Sequence, residues 1–199
     1  MFGKDNDGRD IVSMTEHEER RFKAPLRHVA AYWEGLCGPD QVPLRSEVDP
    51  RGIETALENA FLIEKIATGM AKFRVSGSHV SDLMGMQVAG MPVSTCIAPD
   101  DRERFGTAVA RFFSDPAIIE AALWGEGGFG KPALVGHLVL LPLRSDFGDV
   151  TRGLGAIVTK GRIGRTPRRF RLGEMTVRHA LSDGMGEAPA PERAGHDPT

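Results

Sequence analysis

The chain has 199 residues, enough to bury a sizeable core as one domain with extensions. Its 25 Lys and Arg against 27 Asp and Glu leave a formal charge of −2, which denies the whole molecule an electrostatic claim on nucleic acid or anionic lipid. The start, MFGKDNDGRD, lacks an apolar signal core, and no apolar run reaches the length of a membrane span, so a cytoplasmic protein is expected.

Residues 1–13 show no periodicity and are expected to be loose, ahead of an N-terminal helical region at 14–59. A helix is predicted from about Met14, best defined from Pro25, where Leu26, Val29, Ala30, Trp33, Leu36 and Cys37 make one apolar stripe. Gly38-Pro39 ends it. Asp49-Pro50 predicts a second helix with Ile53, Ala56 and Leu57 inward, Asp as cap and Pro at the first helical position.

A core over residues 60–180 follows. Phe61 and Ile63 alternate with Leu62 and Glu64, and Phe73 and Val75 with Lys72, Arg74 and Ser76, which predicts two half-buried strands linked at Thr68-Gly69. Ser78 is placed to cap a small helix carrying Val80, Leu83 and Met84, stopped at Gly85. Asp100 with Glu103 suggests a capping box for a helix over Asp101–Phe113, with Phe105, Val109, Phe112 and Phe113 on its apolar face. Ser114-Asp115-Pro116 predicts a further short helix with Ile118, Ile119 and Leu123. The run GEGGFGKP from Gly125 reads as a turn, lacking the ending of a phosphate loop. Strands are predicted at Ala133–Pro142, Arg152–Thr159 and Arg169–Arg178. Their short connections require antiparallel neighbours. The result is an α+β fold with a five-stranded antiparallel sheet and helices on one face. The acidic tail, 181–199, is expected to be disordered.

Four segments carry a family resemblance: YWEGL (Tyr32–Leu36), VPLRSEVDPRGI (Val42–Ile53), FRVSGSHVSDLMGMQVAGMP (Phe73–Pro92) and LLPLRSDFGDVTRGLGAI (Leu140–Ile157). Together they resemble a bacterial PAS-like family, the fifth of the PAS families, over most of the chain. The resemblance implies a PAS fold in a stand-alone single-PAS protein, a sensory or signalling role, and no catalytic residues to carry over. It leaves the cofactor unknown, because PAS domains hold haem, flavin, small metabolites or nothing.

The expected function is therefore a non-enzymatic signalling module with a signalling protein as partner. A ligand-binding sensor would hold a small apolar molecule between the sheet and helix 101–113, lined by Phe61, Phe73, Val75, Met84, Phe105, Val109, Phe112, Leu138 and Leu140. A ligand-free interaction adaptor would fill that space. Haem would need His79 or His137, with Met84, Met86 or Met91 as a soft second ligand; helix 101–113 contains no histidine, and core filler explains the methionines more simply. Cys37 and Cys96 lack metal or redox spacing and read as reduced, partly buried thiols, and Cys96 has none of the polar neighbours of a flavin-adduct cysteine. KGRIGRTPRRFR (Lys160–Arg171) is dense in positive charge, and Arg162, Arg165, Arg168 and Arg169 are candidates for binding phosphate on a nucleotide. A solvated hairpin tip is the plainer account. No nucleophile elbow or HExxH pair appears, and Asp146 and Asp149 read as turn residues, so no enzyme is expected. Leu26, Tyr32 and Trp33 on the N-terminal helix predict an isologous homodimer.

Overall fold

The structure is a computed structural model, and residues 17–181 are described. The expectations for 1–13 and for the tail beyond Leu181 lie outside the described residues. A helical stretch at 17–22 leads into α1 (Ala24–Leu36), followed by 3-10 turns at Arg45–Glu47 and Pro50–Ala56. The hairpin β1 (Ala60–Ala67) and β2 (Met70–Ser76) comes next, then α2 (Ser78–Met84) and α3 (Arg102–Ser114). Four strands follow among the described residues: β3 (Ala117–Gly125), β4 (Leu134–Arg144), β5 (Val150–Lys160) and β6 (Phe170–His179). They form one antiparallel sheet in the order β2-β1-β5-β4-β3-β6. The α+β class and antiparallel sheet are those the sequence predicts. Among the described residues no helix is long and apolar enough to cross a membrane.

Each face of the sheet has its own core. On the inner face, α2 and α3 bring Leu83, Phe105, Val109 and Phe112 against Phe61, Ile63, Leu138, Leu140 and Ile157. On the outer face, α1 lays Leu26, Val29 and Trp33 over Val139, Leu141, Leu154 and Ala156. Those three helix positions recur at the spacing of one helical face, so burying them docks the whole element. The Trp33 indole donates to the carbonyl of Pro142 at 2.8 Å, satisfying its buried N–H.

The sequence reading needs five corrections. Residues 117–125 are a strand, not a helix: β3 lies between β4 and β6 with Ala117, Ile118, Ile119, Ala121 and Leu123 all buried. Burial alternates along β3 from Ile119 to Trp124, but the apolar run Ala117-Ile118-Ile119 and the alanines at 121 and 122 hide that period in the sequence. The sheet therefore has six strands, and β6 pairs with β3 rather than with β5. The segment after Asp49 is a 3-10 helix, with three residues per turn, so Ile53 and Ala56 face inward while Leu57 is left 44% exposed. Of the three predicted side-chain caps, Asp49 forms, accepting from Arg51 N at 2.9 Å, while Ser78 and Asp100 do not. Gly77, not Ser78, is the N-cap of α2, and the His79 N–H goes to the Glu58 carbonyl at 3.0 Å. Asp101, not Asp100, is the N-cap of α3, and its carboxylate clips β6, taking bonds from Arg171 Nε at 2.8 Å and Leu172 N at 3.1 Å.

The fifth correction concerns Val75. Ile63 stands opposite Phe73, but the adjacent Leu62 stands opposite Val75, so Arg74 is an extra residue in β2. This β-bulge reverses the alternation beyond it, moving Val75 to the outer face, 60% exposed.

Candidate functional site

The interior between sheet and α3 collects eight of the nine predicted lining residues: Phe61, Phe73, Met84, Phe105, Val109, Phe112, Leu138 and Leu140 are all buried there. Val75, on the opposite face, does not join them. Three of them, Phe61, Phe73 and Leu138, border a small internal space. A void of about 20 Å³ remains among Phe61, Phe73, Leu83, Cys96, Leu138 and Phe170. That volume holds one water molecule and no metabolite. Two glycines of β5 allow the closure. A Cβ at Gly155 would lie 2.3 Å from the Phe61 ring, and one at Gly153 would lie 2.8 Å from the Phe112 ring. Both phenyl groups thus rest directly on backbone where a side chain would hold them off. The Cys96 thiol is buried beside the void and pushed up to about 12, so it is no nucleophile. Cys37, on α1, is raised to about 11, chiefly by burial.

The histidines considered for haem do not converge. His79 Nε2 lies 3.1 Å from the Thr159 hydroxyl beside α2, on the inner side. His137 projects to the outer side, with Phe22 edge-on at 5.7 Å and Glu19 at 3.5 Å from Nε2. Burial draws both imidazoles below their ordinary value. Neither borders the void, which has no room for a porphyrin. Of the methionines, Met84 is buried, Met91 half-buried and Met86 51% exposed. These residues do not fit the group. Among the described residues no three His, Cys, Asp or Glu side chains cluster as metal ligands.

The basic stretch is a crossover rather than a hairpin tip. It carries the chain from β5 past the end of the sheet to β6, where the Arg165 N–H meets the Gly130 carbonyl at 2.7 Å. Arg162, Arg165 and Arg169 are exposed, while Arg168 is wholly buried. The Arg168 guanidinium donates to the carbonyls of Ile163, Pro132 (2.9 Å) and Glu126 (3.3 Å), and burial lowers its pKa. Its fork is filled by backbone, so Arg168 is a strut and not an anion ligand. Asp146 and Asp149 stand in the β4–β5 turn, where the Asp149 carbonyl accepts from Ser145 N at 2.8 Å.

A cavity that the sequence reading missed lies on the outer face. α1 covers β4 and β5 but leaves β1 and β2 open, and the 3-10 turns at 45–47 and 50–56 form a wall beside them. The resulting groove, about 630 Å³, is lined by Val48, Pro50, Ile53, Leu57, Leu62, Val75 and Leu154, with Arg45 and Glu58 at its margins. A second cleft of about 350 Å³ shares Arg45, Leu62 and Val75 and adds Arg74 and Arg152. In the same neighbourhood Glu64 meets three cations: Arg152 at 3.0 Å, Arg74 at 3.3 Å and Lys72 at 3.5 Å. The sequence shows Glu64 on the polar side of one strand and Lys72 and Arg74 on the polar side of the other. The bulge that turns Val75 toward them was not.

A six-stranded antiparallel sheet, with a helical layer on its inner face and an N-terminal helix docked outside, defines an α+β domain of one sheet and two cores. The PAS domain family matches residues 21–158, more than half of the chain, and the protein belongs to that family. The matched residues include α1 and the groove, and stop short of β6. A comparison with curated proteins finds no match.

Proposed function

We infer that this PAS domain is a non-enzymatic signalling module of the adaptor kind, acting through its outer surface and not through a ligand held inside the fold. One observation carries this reading: the inner core closes on a void of about 20 Å³ between the sheet, α2 and the turn at 93–97, while Phe61 and the α3 residue Phe112 rest directly on Gly155 and Gly153. Small-molecule sites need several hundred Å³. The buried thiol, the separated histidines and the occupied Arg168 fork supply no alternative chemistry inside the described residues. The test joins an absorption spectrum and native mass spectrometry with methyl NMR. The expected result is no visible absorption and no bound molecule perturbing the methyls of Val109 and Leu138. A Soret or flavin band, or a co-purifying molecule with contacts to those two methyls, would overturn the reading.

The expected homodimer through α1 has a narrower basis in this geometry. Trp33 and Leu26 are covered by the chain's own sheet, and the Tyr32 hydroxyl accepts from Asp49 N at 2.7 Å. Self-association would have to use other surface, and light scattering over a concentration series at micromolar protein decides it.

A further inference from the structure

We propose that the outer groove is a binding site for a medium-chain acyl anion, its hydrocarbon chain lying along Leu62 and Val75 and its carboxylate at the arginine cleft. The inference goes beyond the adaptor reading and rests on the outer face alone. The groove has the volume of a ligand site, and its walls are apolar along most of its length: Val48, Ile53, Leu57, Leu62, Val75 and Leu154. Val75 and Leu57 stand 60% and 44% exposed there, leaving apolar surface that a hydrocarbon chain would cover.

Charge gives the site a direction. Four cations stand at one end: Arg45, Arg74 and Arg152 line the second cleft, and Lys72 joins Arg74 and Arg152 at the single carboxylate of Glu64. Three of them already meet that carboxylate, while the Arg45 side chain has no ion pair or hydrogen bond among the described residues. Arg74 meets Glu64 through Nε, leaving its two terminal nitrogens for an incoming anion. This end therefore holds more positive charge than the protein neutralises. Glu58, which also lines the groove, lies just before β1, and the four residue steps along that strand from Ala60 to Glu64 span about 13 Å. An anionic head is repelled at Glu58 and attracted at Arg45 and Arg74. A neutral chain gains no such orientation, and a bare anion leaves the apolar walls open.

The experiment titrates the full chain with decanoate, and separately with decanol, hexanoate and inorganic phosphate, following binding by calorimetry and methyl NMR. The expected result is saturable one-to-one decanoate binding that moves the methyls of Leu62, Val75 and Leu154. Decanol and hexanoate should each bind at least tenfold more weakly, and phosphate should not saturate. Arg45→Gln with Arg74→Gln should weaken decanoate about tenfold without changing decanol. Val75→Glu, at an exposed position that leaves the fold intact, should abolish decanoate binding. Absence of saturable decanoate binding overturns the proposal and leaves the adaptor reading untouched. Equal affinity for decanol, or for phosphate, overturns it as mere chain or charge adhesion. Shifts confined to Val109 and Leu138 would overturn both readings, since the ligand would then occupy the interior.

Discussion

Arg168 carries a positive charge into the protein with no ion pair among the described residues, held by three backbone carbonyls from two loops. A guanidinium presents a planar fork that can reach all three at once, whereas an ammonium is a single point. Replacing Arg168 by Met leaves the carbonyls unmet while relieving a buried charge, for a net loss of about 2–3 kcal/mol. Arg168→Lys should restore little of it, as read by urea denaturation. Gly52 is fixed by a different constraint. A Cβ there would lie 2.0 Å from the Tyr32 ring, whose hydroxyl is anchored at Asp49. Gly52→Ala is expected to cost about 1–3 kcal/mol, and Tyr32→Ala in the same chain should make the added methyl harmless. The histidines set the response to acid. The folded values of His79 and His137 lie below the ordinary 6.5, so the unfolded chain takes up protons first as pH falls. Their contribution is complete above about pH 6.5 and is lost as pH falls from there through the lower folded values. Replacing both by Gln should flatten the decline of the urea midpoint across that window; an unchanged slope would assign the acid sensitivity to other groups.

At the scale of elements, α1 and the β1–β2 hairpin show what a pattern of apolar residues can and cannot specify. The stripe Leu26, Val29, Trp33 was enough to predict a helix with one buried face, and the buried face is the predicted one. Its partner was not legible, because the same stripe would suit a second copy or the chain's own sheet. Since the indole donates to Pro142, Trp33→Phe should cost about 1–2 kcal/mol, and Trp33→Glu should unfold the protein rather than change an oligomer's mass. Far-ultraviolet circular dichroism beside light scattering separates these outcomes. The hairpin was predicted in position and pairing, yet one extra residue at Arg74 reversed the side of Val75. No residue type announces a bulge of this sort; the partner strand's register creates it. Accordingly Phe73→Ala should cost about 3–5 kcal/mol and Val75→Ala less than about 0.5 kcal/mol in the same denaturation assay. β3 was misread for a related reason. AIIEAALWG begins after an Asp-Pro start signal and contains good helix formers, and only pairing with β4 and β6 makes it a strand.

For the molecule as a whole, the two faces of one sheet have opposite characters: the inner closes on a void of about 20 Å³, and the outer is only half covered. The filling depends on the strand farthest along the chain. β6 supplies Phe170 and Leu172 to the inner core and pairs along β3 from Ala117 to Gly125, and the Asp101–Arg171 ion pair at 2.8 Å holds its start against α3. Yet the family's match ends at residue 158, and a laboratory guided by that boundary would cut the chain near Lys160. The shortened protein would lose one wall of its core and expose the β3 edge to any other strand in solution. It is expected to aggregate, seen as rising scattered light on concentration, and to take up more of a hydrophobic dye than the full chain does. Such a fragment would display a hollow and a greasy edge, and a screen run on it would return ligands for a pocket that the knife had made.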